Sequence, residues 1–203
     1  MLKHIFLLFL LTPLLSCSDA EKLQPLDADA TVLAFGDSLT YGTGASRNNT
    51  YPATLEQLIG HRVINAGIPG ELSSRGLSRL PGLITQHHPD LIILCHGAND
   101  ILRKLDLDKT RNNIQLMIDM ARQNNSQVIL IGVPEFSLFL DTSPIYETLA
   151  EKNSIPIAKD ILGDILGDNS LKSDHIHPNG KGYHVLAENI ASLLKQSGAI
   201  PDN

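Results

Sequence analysis

The chain has 203 residues, 42% of them hydrophobic and 19% charged, which fits one globular domain with a full core and excludes a disordered or fibrous chain. Acidic side chains outnumber basic ones by 22 to 16, and no basic stripe is visible. Nucleic acid is therefore not an expected partner.

The N-terminal stretch stands apart. Lys3 and His4 precede an apolar run from Ile5 to Leu15, too short to span a bilayer and shaped like a secretory signal. It ends in Leu14-Leu15-Ser16-Cys17, which resembles a bacterial lipobox: the signal is cut before the cysteine and the cysteine is lipidated. The expected division is a lipoprotein signal peptide over 1–16, lipidated Cys17 with a polar tether over 17–30, and one domain over 31–197. Ser18 rather than an aspartate follows Cys17. By the same resemblance this points to an outer-membrane anchor facing the periplasm. Cys95, inside the run Leu91-Ile92-Ile93-Leu94-Cys95, reads as a buried, inert thiol.

From residue 30 onward strand and helix signals alternate. Residues 31–35 predict a strand ending at Gly36, and 51–60 a short helix stopped by Gly60. A second strand is predicted over 62–65. Leu77, Leu80 and Ile84 then recur at helical spacing, with Pro81 expected to kink that helix or begin a new turn. The near-continuous apolar runs around 91–95 and 127–133 suit central strands of a parallel sheet covered on both faces. Between them Ile114, Met117, Ile118 and Ala121 mark an amphipathic helix. A helix over 143–152, a short strand over 155–158 and a helix over 181–196 complete the series. Five strands alternating with helices predict an α/β fold, a three-layer α/β/α sandwich on a central five-stranded parallel sheet. Ligands of such sheets bind beyond the carboxyl ends of the strands. The loops at 36–38, 66–70, 96–100 and 134–140 should therefore share one rim.

That rim collects the chemistry. Ser38, in Gly36-Asp37-Ser38-Leu39, follows a strand. Asp174 and His177 lie three residues apart near the other end of the chain. Nucleophile, base and orienting carboxylate are the minimum for acyl transfer through a covalent intermediate. A G-x-S-x-G elbow occurs nowhere, which argues against the α/β-hydrolase family. Gly70 closes Asn65-Ala66-Gly67-Ile68-Pro69-Gly70, and Asn99 lies in Gly97-Ala98-Asn99-Asp100. Singly, each of these has an ordinary use as a cap or turn.

The four blocks in this order, from residue 31 to 195, resemble the SGNH hydrolases, or GDSL esterases, and among them the bacterial arylesterase, thioesterase and lysophospholipase group. The resemblance implies a serine esterase that cleaves carboxylic esters through an acyl-enzyme and needs no cofactor or metal. Ser38 would be the nucleophile, His177 the general base, and Asp174 the carboxylate that orients it. The Ser38 N–H, Gly70 N–H and Asn99 side-chain amide would form the oxyanion hole. His175 is a rival for His177, but the D-x-x-H register favours the latter. The sequence departs from close relatives at Glu71-Leu72, where an aspartate and a threonine are common. Phe136, Leu138 and Phe139 are candidates to contact the acyl chain, core packing being the alternative use of such residues. The expected substrate is a small-molecule or lipid ester, with aryl esters, lysophospholipids and acyl thioesters all open, and the protein is expected to be monomeric. Two other readings compete: a non-catalytic surface lipoprotein with an esterase-like fold, and a metal-dependent phosphoesterase using Asp37, Asn99, Asp174, His175 and His177.

Overall fold

The computed structural model describes residues 22–136 and 139–202. Signal peptide, Cys17, Ser18 and Leu138 lie outside the described residues.

Five parallel strands form one sheet in the order β2-β1-β3-β4-β5. They are β1 (Thr31–Gly36), β2 (Arg62–Gly67), β3 (Leu91–Cys95), β4 (Gln127–Ile131) and β5 (Ile157–Ala158). The five-stranded parallel sheet and its helical layers are as the alternation predicts. β1 and β3 are buried almost throughout, as strands covered on both faces must be. β2 lies at an edge, and only Val63 in it is buried. Helices α2 (Tyr51–Ile59), α7 (Ile161–Gly167) and α8 (Gly180–Gln196) pack together on one face, and α3 (Ser73–His87), α5 (Leu107–Gln123) and α6 (Pro144–Asn153) on the other.

Three differences from the predicted elements have simple causes. Short helices α1 (Ser38–Tyr41) and α4 (Ala98–Leu102) begin directly at the rim, together with α7. Four, five and seven residues are too few to show a period. α3 runs unbroken through Pro81, which is exposed. The missing N–H there removes one bond on a solvated face, where water can satisfy the freed carbonyl. The stretch expected as tether is, from Leu23, held to the domain. Leu23 and Leu26 donate to the carbonyls of Ser197 and Ala199, both at 2.8 Å. Gln24 and Gln127 bond each other through backbone and side chain at 2.6 and 2.9 Å. Gln127 opens β4, so this segment docks at the amino ends of the strands, opposite the rim that carries Ser38.

The order 2-1-3 means that the chain reverses direction across the sheet between β1 and β3. A crevice opens where loops leave in opposite senses. β1 ends at Gly36 beside Cys95, the last residue of β3, and beside Gly67, the last of β2. Ser38, the 68–70 loop and Asn99 are thereby brought to one place.

Candidate active site

Asp37 is fully buried and caps α1, its Oδ1 accepting the Leu39 N–H at 3.2 Å. The cap starts a helix at the next residue, so Ser38 sits at a helix N-terminus. Its own N–H is one of the donors that a helix start leaves without an intrahelical acceptor.

The loop that carries Asp174 and His177 comes from the far end of the chain. Asp174 Oδ1 accepts the N–H groups of Ile176 and His177 at 2.8 and 2.9 Å, folding residues 174–177 into a tight turn. Ser173 closes the turn by donating from its backbone to the His177 carbonyl at 2.9 Å. Asn179 then caps α8, accepting from Lys181 and Gly182. Within this frame Asp174 Oδ2 lies 2.8 Å from His177 Nδ1, and His177 Nε2 lies 3.0 Å from Ser38 Oγ. With Nδ1 donating to the carboxylate, Nε2 is left as the acceptor facing the serine hydroxyl. Burial pushes the Asp174 carboxyl up, but the hydrogen bonds from Ile176 and His177 and the His177 charge outweigh it and hold the group below its usual 3.8. His175 is exposed and makes none of these contacts.

Gly70 has φ +75°, a left-handed conformation in which a side chain is strained, and its N–H donates to no described residue. Asn99 donates from Nδ2 to Asp37 Oδ2 at 3.2 Å and to the Glu71 carbonyl at 3.1 Å. The Asp37 carboxylate thus fixes which way the amide points. An oxyanion would share one of these two hydrogens. Ser38, His177, Asp174, Gly70 and Asn99 are therefore gathered at the β1/β3 crevice. Phe136 packs half-buried on the core, and Phe139, 77% exposed, lines a separate hollow with Asp141, Asp160 and Asp164. A different pocket, of about 300 Å³, adjoins α4 beyond Asn99 and is lined by Ile101, Lys104, Leu105, Leu107 and Glu135. Among the described residues no group of three or more His, Cys, Asp or Glu side chains is arranged to hold a metal ion.

Residues 34–185 match the family model described as the GDSL-like lipase/acylhydrolase family. The chain belongs to this family. It is 30% identical over 181 residues to the esterase TesA of Pseudomonas aeruginosa, covering 83% of this chain and 89% of that one. It is 28% identical over 173 residues to the thioesterase 1/protease 1/lysophospholipase L1 of Escherichia coli K12, covering 81% and 83%. A crystal structure of TesA superposes with a TM-score of 0.73 at 27% identity, covering 81% of this chain and 98% of that one.

Against this family background, the departure at Glu71 acquires a structural meaning. The Glu71 side chain is 7% exposed, and Arg79 grips it with Nε to Oε1 at 3.0 Å and Nη2 to Oε2 at 2.5 Å. Arg79 Nη2 also donates to the carbonyls of Ala66 at 3.0 Å and Gly36 at 3.4 Å, and its guanidinium stacks 4.4 Å above the Phe35 ring. His96 accepts the Gly97 N–H at Nδ1 at 3.0 Å, so its Nε2 carries the proton and donates to Glu71 Oε2 at 3.2 Å. On the other side of the loop, buried Asp100 accepts from Ser73 N and Oγ at 2.9 and 2.7 Å. Gly70 is thus followed directly by a chain segment pinned at Glu71 and again at Ser73. Arg79 and Asp100 were not candidate site residues, and Asp37 entered only as a candidate ligand of the competing metal reading. Asp37 and Asp100 flank the motif residues, but Arg79 lies mid-helix and carries no sequence signal of its role.

The Glu71 cluster makes a testable contribution to stability. Burial pushes this carboxyl up, but hydrogen bonds from His96 and Arg79, and the Arg79 charge, bring it from 4.5 down to about 2. A carboxyl lowered on folding contributes stability that is complete above its unfolded value and lost as pH falls through its folded one. Glu71→Gln should therefore unfold at lower urea than wild type near pH 7, with the gap narrowing as pH falls from 4.5 toward 2. A gap independent of pH would show that only the shape of the side chain matters.

Proposed function

We propose that this protein is a serine esterase of the GDSL-like family: Ser38 attacks the ester carbonyl, His177 moves the proton, and Asp174 orients His177. The observation that carries the reading is the unbroken hydrogen-bonded line from Asp174 through His177 to Ser38 Oγ, at 2.8 and 3.0 Å, on the ligand-binding rim. Attack would form the acyl–Oγ bond and break the bond to the alcohol, with His177 delivering the serine's proton to the departing oxygen. Water then repeats the sequence on the acyl-enzyme. The negative oxygen formed at each step would be met by the N–H groups of Ser38 and Gly70 and the amide of Asn99. Hydrolysis of a chromogenic acetyl ester, and labelling of Ser38 by a fluorophosphonate, test the reading. Absence of both would favour a binding protein on the same fold.

The pocket beyond Asn99 is the better candidate for the acyl chain than the 136–139 stretch, because Ile101 is on the helix that carries Asn99 and Leu105 and Leu107 follow it. Leu105 is 42% exposed and so replaceable without a core defect. Leu105→Asp is expected to lower kcat/KM for octanoyl esters about tenfold more than for acetyl esters, given about 0.8 kcal/mol per buried methylene. Phe139→Asp should not discriminate. The reverse pattern would return the acyl site to Phe139.

The anchor belongs to the same proposal. The apolar run and the lipobox-like Leu14–Cys17 support lipidation at Cys17 and a location at the outer membrane. Labelled palmitate incorporated by wild type and not by Cys17→Ala, with fractionation of the two membranes, checks both.

A further inference from the structure

The loop that carries Gly70 is a turn. Residues 68–71 read Ile-Pro-Gly-Glu, with the Glu71 N–H donating to the Ile68 carbonyl at 3.2 Å and Gly70 at φ +75°. Proline second and a positive-φ glycine third is the pattern of a type II turn. The turn's own hydrogen bond does not use the N–H of its third residue, so the Gly70 N–H is left for a ligand. Where that N–H stands relative to Ser38 depends on what fixes the two ends of the turn.

Both ends lead to the same carbonyl. The Ile68 N–H donates to the Gly36 carbonyl at 3.1 Å. At the other end Arg79 holds the Glu71 carboxylate, and its Nη2 also donates to the Gly36 carbonyl at 3.4 Å and to that of Ala66 at 3.0 Å. Gly36 ends β1, two residues before Ser38. Gly36, Ile68, the turn, Glu71 and Arg79 therefore close a ring that spaces Gly70 from Ser38. Asn99 joins the ring through its Nδ2, which donates to the Glu71 carbonyl at 3.1 Å. One residue thus reaches all three donors. The Glu71 N–H closes the turn under Gly70, its carbonyl holds Asn99, and its carboxylate is tied through Arg79 to the strand that delivers Ser38.

The ring is also braced from outside. Phe35 lies under the Arg79 guanidinium. His96, 1% exposed, donates to Glu71 Oε2 and packs against α3 so closely that a Cβ on Gly76 would come 2.3 Å from its Nε2. A buried ion pair is by itself weak evidence of stability, so its place in this ring calls for another use.

We infer that Glu71 and Arg79 are positioning residues of the oxyanion hole: they touch no reacting atom and set the spacing of the Ser38, Gly70 and Asn99 donors. This rests on the esterase reading above. Such donors act only where the negative oxygen will form, and a misplacement of about 1 Å costs about 10²-fold in rate.

Two variants test it. Arg79→Lys keeps a positive charge beside Glu71 but loses the fork that also reaches two carbonyls. Glu71→Gln keeps the shape and loses the charge. Each is expected to lower kcat on a p-nitrophenyl ester by about 10- to 100-fold with KM within about twofold of wild type. A trifluoromethyl ketone separates positioning from folding. Ser38 Oγ bonds to its carbonyl carbon, the π pair of the carbonyl becomes the oxyanion, and the serine's proton passes to His177. The inhibition constant should rise by the same factor by which kcat/KM falls. Ile84→Val, in the core under the same helix, is the control: urea stability should drop while kcat and the inhibition constant stay unchanged. A loss confined to KM, or kcat within about twofold of wild type in both variants, overturns the proposal. Should Arg79→Lys not fold, Glu71→Gln reads the same quantities. The Gly70 amide resonance of the unliganded protein gives an answer independent of catalysis. It should shift in both variants and not in Ile84→Val, and its constancy in both overturns the proposal. If wild type cleaves no ester while the resonance shifts, the esterase reading fails and the ring still positions Gly70.

Discussion

Ser38→Ala is expected to lower kcat on a p-nitrophenyl ester by about 10⁴- to 10⁶-fold, with melting temperature unchanged. The size follows from the geometry. Ser38 Oγ is the atom that His177 Nε2 faces at 3.0 Å, and alanine would remove the proposed nucleophile and leave the proposed base with nothing to deprotonate. Stability should not move, because the helix that holds Ser38 is capped by Asp37 through Leu39, not by Ser38 itself. His177→Ala should cost about as much, and the double variant little more than either alone, since residues acting as one unit are not additive. Additive losses would show that serine and histidine work separately. Activity within a few per cent of wild type in Ser38→Ala would move the nucleophile elsewhere.

If Asn99 serves the oxyanion as proposed, Asn99→Ala should lower kcat by about 10²- to 10³-fold with little change in KM, because its amide would be used on the charge that develops during reaction. Two features of the site refine this. Asp37, buried and accepting from Asn99 Nδ2 at 3.2 Å, loses a donor in the variant. Burial already pushes the Asp37 carboxyl up, while His96, the Leu39 N–H and Asn99 pull it down. Part of the loss in Asn99→Ala should therefore appear as lower stability. Asn99→Asp separates the effects: it offers no hydrogen to an oxyanion and sets a second carboxyl against Asp37, so it should be at least as inactive and less stable than the alanine variant. A change confined to KM would place Asn99 in ground-state binding.

The legible part of the fold was its periodicity. Thr31–Gly36, Leu91–Cys95 and Gln127–Ile131 are apolar runs because both faces of those strands are covered, and an apolar run is visible in one dimension. α5 and α8 were visible for the corresponding reason, an apolar stripe over many turns. α1 and α4, four and five residues long, offer no repeat to read. Pro81 misled for a physical reason as well: on an exposed face its cost is one backbone bond, too little to end a helix whose other side holds Leu80 and Ile84 in the core.

The sequence by itself determined which residues could do the chemistry. Asp174 and His177 are positioned by bonds within their own four-residue turn, and Ser38 by the cap one residue before it, so local spacing already contains that geometry. Only the tertiary structure decided how those pieces are braced and what surrounds them. Arg79 joins Glu71, Ala66 and Gly36, and Asp37 orients Asn99 across 62 residues of chain. Such contacts depend on where strands lie in the sheet rather than on neighbours in the chain, and for that reason Phe136 and Phe139, next to the rim in sequence, do not line the pocket beyond Asn99.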